Sequence, residues 1–401
     1  MGRGDRVTAT SVCLVLLLLS VAVYAAGAVS LAVSRRDRRG ARLPAFSPPV
    51  SIVKPLSGLD DELERNLESF YEVDYPAFEI VFSFARRTDP AFSVARRVAD
   101  RHPQVATVFV VDAREPGGNS KVNRLSAGVK RARFRHILMA DGNVRVHREF
   151  LGRAVSFFAD RSVGLVSHLF RARGARTLGS RLESLHLNGS LRAGTAAIAR
   201  VLGIPCVVGK SILVSREALN AIGGIEALRD HLAEDYLLGR MVAKAGYRVV
   251  LSADEIETAE VSRSLAGAWS RQRRWAILRK RLGGVSYAAE LLASSLPWYA
   301  GVLVGAHGRI GLVSAATALY LARLGLEAFE TAGSSKFSAA SWLLCPLRDL
   351  AVAALFWAGL FGQRTSWRGR SILVGRKTVI VRPPAVSGRV GAAAHQAAEQ
   401  A

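Results

Sequence analysis

Three cysteines in 401 residues (Cys13, Cys206 and Cys345) are too few and too scattered to frame a disulfide scaffold. No CxxC pair or Cys/His cluster offers a structural metal site. Aromatic residues make up only 7% of the chain, and none alternates with basic residues in a base-stacking pattern, so no nucleic-acid partner is expected. Acids are also scarce: 32 Asp and Glu face 55 Lys and Arg, which leaves a formal charge of +23. That surplus attracts polyanions such as anionic lipid head groups or a diphosphate.

Charge is absent altogether from residues 9–33. The run exceeds the ~20 apolar residues needed to cross a bilayer and is too long for a typical signal-peptide core. The basic stretch Arg35-Arg36-Asp37-Arg38-Arg39 follows it, placing the chain beyond on the cytosolic side by the positive-inside rule. Apolar character returns near 287–305, 309–326 and 338–362, and a second basic cluster spans 364–377. A cytosolic tail after a cytosolic domain requires an even number of later crossings. Three candidates conflict with that, and the first carries Glu290 and Pro297, which favour an interfacial or re-entrant course. The expected organisation is an anchor over 1–34, a cytosolic domain over 45–284, two to three membrane helices over 285–363, and a basic tail over 364–401. The tail beyond residue 383 is expected to lack order.

Between the apolar ends the pattern alternates. Short runs rich in β-formers lie at 50–53, 78–84, 106–111, 136–140 and 163–168, with helical-period segments at 60–71, 90–101 and 121–131 between them. Strands joined by such helices imply an α/β fold with a mostly parallel sheet, whose ligand site lies beyond the carboxyl ends of the strands. The acids found there are Asp89 and Asp141; Glu234-Asp235 opens a later helical stretch, and Arg271-Gln272-Arg273-Arg274-Trp275 approaches the membrane. Each has a plain structural alternative: Asp89 as a helix N-cap, Glu234-Asp235 as first-turn acids, Arg271–Trp275 as a solvated basic face. Together they suit sugar transfer from a nucleotide diphosphate. That reaction needs positive charge on the leaving diphosphate and a carboxylate to take the acceptor's proton.

Asp89, Asp141, Asp235 and Arg271-x-x-Arg274-Trp275 resemble the D, D, D, (Q/R)xxRW signature of inverting GT-A glycosyltransferases. The chain is more narrowly similar to the ceramide glucosyltransferase family, through Ser51-Ile52-Val53-Lys54-Pro55, Asn66-Leu67-Glu68-Ser69-Phe70, Lys121-Val122-Asn123, Val208-Gly209-Lys210-Ser211 and Ala233-Glu234-Asp235-Tyr236. The resemblance implies a GT-A, Rossmann-like catalytic domain with N- and C-terminal transmembrane helices. It implies a UDP-hexose donor, most naturally UDP-glucose, and a ceramide acceptor. Asp89, Asp141, Lys121, Asn123 and Pro55 would bind the donor, with Asp141 also holding a divalent cation, Mg2+ or Mn2+. Asp235 would be the base, and Arg271, Arg274 and Trp275 would close over diphosphate and acceptor. Asn143 stands where many GT-A enzymes carry the second acid of a DxD pair, which weakens the expected metal site. Three rival functions stay open: a hopanoid-associated transferase using UDP-N-acetylglucosamine, a processive polysaccharide synthase, and a non-catalytic basic membrane protein.

Overall fold

The computed structural model describes residues 3–40, 46–332, 342–367 and 370–381. An eight-stranded mixed sheet carries the domain: β1 (Val50–Pro55), β2 (Phe78–Phe84), β3 (Ala106–Val111), β4 (His136–Ala140), β5 (Val144–Arg145), β6 (Val163–Arg173), β7 (Ser211–Ser215) and β8 (Arg248–Ala259). Their spatial order is β3-β2-β1-β4-β7-β6-β8-β5. The four strands β3-β2-β1-β4 are parallel, as the alternating pattern predicts. β7 breaks that expectation by running antiparallel to both β4 and β6. Its direction follows from the helical excursion Leu178–Val201 after β6, from which the chain re-enters the sheet at the same end it left, with Ser211 beside Ala140.

The crossover helices start where their capping residues dictate. Asp89 accepts from the Ala91 N–H at 2.9 Å and Pro90 supplies the first turn of Pro90–Arg101. Asn119 caps Ser120–Arg131 by accepting from the Lys121 and Val122 N–H groups. One apolar core packs on each face of the sheet, one around Phe70, Phe82 and Phe150, the other around Val122, Leu165 and Leu238.

Helix Arg3–Gly40 runs past the domain and packs on Arg192–Val201, where a side chain on Gly27 would collide with the backbone of Ala193. Among the described residues two helices are long and apolar enough to cross a membrane, Asp5–Arg36 and Ile310–Thr331. The first candidate after the domain is instead broken into a 3-10 stretch, Gly284–Ala293, and a helix, Leu296–Gly305, with Pro297 in its first turn. It follows the N-terminal helix: Ser20 Oγ donates to Leu292 O at 2.8 Å, while Gly301 and Gly305 sit against Cys13 and Thr10. Ile310–Ala332 returns along the same helix, bringing Glu330 to 3.1 Å from Arg35.

Helix Cys345–Phe361 lies against Leu178–His186 and Leu265–Gly283. Its fully buried Arg348 and Asp349 form an ion network with Glu327 and Arg323, in which Arg348 Nη2 lies 2.9 Å from Glu327 Oε2. The basic segment is ordered as a three-stranded antiparallel sheet, β9 (Arg364–Trp367), β10 (Arg370–Val374) and β11 (Ile380–Val381). The tail beyond 383, expected to lack order, lies outside the described residues.

Candidate active site

β1 and β4 end side by side, so Pro55 and Asp141 meet at the sheet's carboxyl edge, where the chain of a parallel sheet leaves room for a ligand. With Lys121, Gly209, Glu234 and Asp235 they line one pocket. Lys121 is its hub. Its Nζ lies 2.8 Å from Asp141 Oδ1 and 3.1 Å from Glu234 Oε1, and donates to Gly209 O at 3.0 Å.

Asp141 touches a second ammonium, Lys210 Nζ at 3.3 Å from Oδ2, and Lys210 also donates to Asn143 Oδ1 at 2.9 Å. Burial opposes ionisation of Asp141, but the charges of Lys121 and Lys210 outweigh it and hold its pKa at about 2. A third lysine, Lys54, is fully buried; its Nζ donates to Asp141 O at 3.0 Å and stands 3.7 Å from the centre of the Phe70 ring. Burial lowers its pKa to about 7, against the pull of Asp141 and Asp60.

Asp235 behaves in the opposite way. Burial and the neighbouring Glu234 charge raise it to about 6, and Lys121 offsets only part of that. The Tyr236 and Gly209 N–H groups donate to its carboxylate. A Cβ on Gly209 would stand 2.5 Å from Asp235 Oδ2, so only glycine lets this loop approach the acid.

Helix Glu234–Lys244 has no side-chain cap of its own at Ala233. The C-terminal sheet supplies one. Thr378 O accepts from Leu232 N at 3.0 Å, Thr378 Oγ1 accepts from Ala233 N at 3.3 Å, and Ile380 N donates to Asp230 O at 2.8 Å. Lys377 and Thr378 adopt φ of 50° and 63°, left-handed values that a β-branched residue such as Thr378 takes only when its contacts fix it there.

The remaining expected residues take other positions. Asp89 lies outside the pocket lining; its Oδ1 accepts from Gly58 N as well as from its own helix, so its capping alternative is realised. Asn123 uses both ends of its amide on Gly117, donating to the carbonyl and accepting from the N–H. Arg271 is buried between two fully buried carboxylates, Nε donating to Glu183 at 2.7 Å and Nη1 to Glu260 at 2.8 Å. Burial opposes its charge, and Glu260 and Glu183 outweigh that and raise its pKa. Glu260 also accepts from Asn143 Nδ2, so one carboxylate joins the Arg271 motif to the Asp141 loop. Arg274 donates to Ser366 O at 3.3 Å, and its pKa falls to about 10 through burial and the Arg271 and Arg263 charges. Trp275 stacks under Arg271, 5.2 Å from guanidinium to ring centre, and packs between two cores.

Lys54, Lys210, Glu183, Glu260 and Thr378 are the functional neighbours that sequence reasoning did not single out. Lys54 and Lys210 stood inside stretches that carry the family resemblance; the other three have no local signal.

The acid expected to hold a divalent cation, Asp141, shares its pocket with Glu234 and Asp235 but is itself engaged by Lys121 and Lys210. Among the described residues no group of three or more His, Cys, Asp or Glu is arranged to hold a metal. Asn143 has given its oxygen to Lys210. One carboxylate completed by substrate phosphate oxygens is nonetheless a common way of holding Mg2+.

A family model described as glycosyl transferase family 21 matches residues 13–380. Ceramide glucosyltransferase 1 of Caenorhabditis elegans is 27% identical over 233 residues, covering 58% of this chain and 50% of its own length. The ceramide glucosyltransferase of Komagataella phaffii is 29% identical over 204 residues, 46% of this chain and 40% of its own. The chain thus spans about half the length of these curated relatives. Among solved structures, the mannosyltransferase PcManGT from Pyrobaculum calidifontis in complex with GDP-Man and Mn2+ superposes with a TM-score of 0.52 at 20% identity. The match covers 87% of this chain and 99% of that one. That likeness bears out the expected GT-A fold.

Proposed function

As a member of glycosyl transferase family 21, this chain, we propose, transfers a hexose, glucose, from a UDP-sugar to the hydroxyl of ceramide with inversion. The observation that carries the reading is the contrast between the two acids beside Lys121. Asp141, held at about 2, is a permanent anion set among ammonium groups; Asp235, raised to about 6, can both accept and release a proton near neutrality.

In this reading Asp235 takes the proton of the acceptor hydroxyl as its oxygen attacks the anomeric carbon, and the bond to the UDP oxygen breaks. The charge that develops on the diphosphate meets Lys121 and Lys210, whose ammonium groups are already in place. A divalent cation, Mg2+ or Mn2+, would be held by Asp141 together with the donor's phosphate oxygens and would supply further neutralisation of that charge. Asp89 would act by fixing the Gly58 loop at the rim of the donor site. Arg271 would act as a brace between Glu183 and Glu260, leaving Arg274 and Trp275 to face diphosphate and acceptor.

Membrane anchoring by Asp5–Arg36, with a cytosolic domain, fits the same reading. The path of 284–305 and 310–332 along opposite directions of that helix supports one outgoing and one returning crossing. A pair of that kind would fit an even count of later crossings, with Cys345–Phe361 outside the membrane core.

The test is transfer from labelled UDP-glucose to ceramide by the purified full chain in lipid nanodiscs, read by mass spectrometry of the lipid. Glucosylceramide from the wild type and none from Asp235→Asn is the expected result. Labelled product equal in both removes Asp235 as base, and no glycolipid from any offered acceptor overturns the reading.

A further inference from the structure

A second cleft, of about 750 Å³, opens away from the donor pocket and shares no lining residue with it. It forms where the ends of helices Leu265–Gly283 and Cys345–Phe361 meet the turn between β10 and β11. Four cations converge on it, Lys280 and Arg281 from the first helix and Arg376 and Lys377 from the turn, and no carboxylate lines it.

Helix electrostatics accounts for two of these. Lys280 and Arg281 occupy a last helical turn, where cations are favoured, and Lys280 Nζ reaches Gly284 O at 3.5 Å. It does not account for Arg376 and Lys377, which come from almost a hundred residues later in the chain. Nor are cations generally left together in this molecule: Arg279, one position earlier, is paired with Glu290. The four cleft cations have no ion-pair partner among the described residues, and Arg281 Nε is buried without a hydrogen bond. Like charges gathered in one cleft repel unless an anion joins them.

Beside the uncharged Gly362 and Gln363, the rest of the cleft is apolar, with Leu360, Phe361 and Val379, and Phe361 is 75% exposed. Phe361 is also the last member of an exposed stripe along its helix, Leu347, Leu350, Trp357 and Phe361, at spacings that share one face. Trp357 and Phe361 stack at 6.2 Å. A soluble anion has no use for such a stripe, whereas acyl chains do.

We propose that this cleft binds the head group of an anionic phospholipid from the surrounding bilayer, with the lipid's chains lying along the Leu350–Trp357–Phe361 stripe. The site holds a resident lipid and is separate from the acceptor's position at Asp235. Phosphate and ammonium or guanidinium groups supply the selectivity for negative charge.

The test uses the full chain in dodecyl maltoside, titrated with palmitoyl-oleoyl phosphatidylglycerol or phosphatidylcholine and read by native mass spectrometry. It requires no substrate, so its outcome is independent of the transferase reading. One phosphatidylglycerol per chain is expected, bound about tenfold more tightly than phosphatidylcholine. Lys280→Gln/Arg281→Gln/Arg376→Gln/Lys377→Gln should erase that preference, and Phe361→Ser should weaken the lipid with all four charges intact. Thermal unfolding checks that each variant is folded. If the fourfold variant is not, the pairs Lys280→Gln/Arg281→Gln and Arg376→Gln/Lys377→Gln are each expected to lose part of the preference. A folded variant that keeps the preference, or a wild type that does not distinguish the two lipids, overturns the proposal. Competition by millimolar glycerol 3-phosphate would assign the cleft to a soluble phosphate and overturn the lipid.

Discussion

Thr378 Oγ1 lies 3.3 Å from the backbone nitrogen of Ala233, two residues before Asp235, so the turn between β10 and β11 caps the helix that carries the proposed base. Thr378→Val keeps the shape and loses the acceptor oxygen, which costs ~1 kcal/mol for a neutral hydrogen bond. If that free energy falls on the alignment of Asp235, kcat drops about fivefold while the KM for UDP-sugar stays unchanged. Steady-state kinetics on the folded variant decides; a shift in donor KM alone would assign Thr378 to the donor pocket instead.

Asp235 has a folded pKa of about 6, above the ordinary carboxylate value. As a base it must be ionised, so kcat/KM should rise with pH and level off above about 6. Stability runs the other way. The folded state holds this proton more tightly than the unfolded chain, so Asp235 subtracts stability as pH rises from about 4 to about 6. Asp235→Asn is therefore expected to be inactive and, at pH 7, more stable by up to about 3 kcal/mol. A pH series of denaturant unfolding for both proteins measures it.

Asp141 has the reverse sign. Its folded pKa of about 2 means that its ion pairs stabilise the fold above the unfolded value near 4, and that this is lost as pH falls through about 2. Asp141→Asn leaves Lys121 and Lys210 without their shared anion. UDP binding measured by calorimetry should weaken at least tenfold in Mg2+. Removing the cation with EDTA should weaken wild-type binding less than Lys121→Met does. A complete loss in EDTA would show that the lysines cannot hold the diphosphate alone.

Gly209→Ala places a methyl group 2.5 Å from Asp235 Oδ2 and must displace the acid. Expected is a fall in kcat of about a hundredfold, as for other ~1 Å displacements of reacting groups, with little change in melting temperature. Unchanged kcat would mean that Asp235 is not held where this loop puts it.

Arg271→Met leaves Glu183 and Glu260 buried and without that partner. Losing one member of a buried ion cluster destabilises by ~3–5 kcal/mol, so the variant should unfold well below the wild type. Glu183→Gln/Glu260→Gln/Arg271→Met, which leaves only the partly exposed Arg263 charged in the cluster, should recover part of that stability without recovering activity. Thermal melts of the two variants compare the terms directly.

The parallel half of the sheet and three of its crossover helices were legible in the sequence because they rest on local signals: Pro90 after Asp89, helical-period segments, and short runs of β-formers in β1 to β4. Asp141 and Asp235 were legible for a related reason, since strand ends and helix starts advertise where a ligand meets backbone. The antiparallel direction of β7 was not, because it depends on where a helical excursion returns. Nor were Glu183 and Glu260, which look like ordinary surface acids until the fold brings Arg271 between them. Thr378 lay in what read as a basic tail, and its role depends on a contact spanning 145 positions.

Arg35 meets Glu330, and Ala233 waits for Thr378. A ribosome delivers the chain from its amino end, so helix Arg3–Gly40 is made long before either partner exists. The sheet can collapse and its pocket can form, but the helix of the proposed base stays uncapped until residue 378 has cleared the exit tunnel. On this geometry the sheet edge is complete before the turn that steadies the Asp235 helix, and a chain halted before residue 378 would lack that contact.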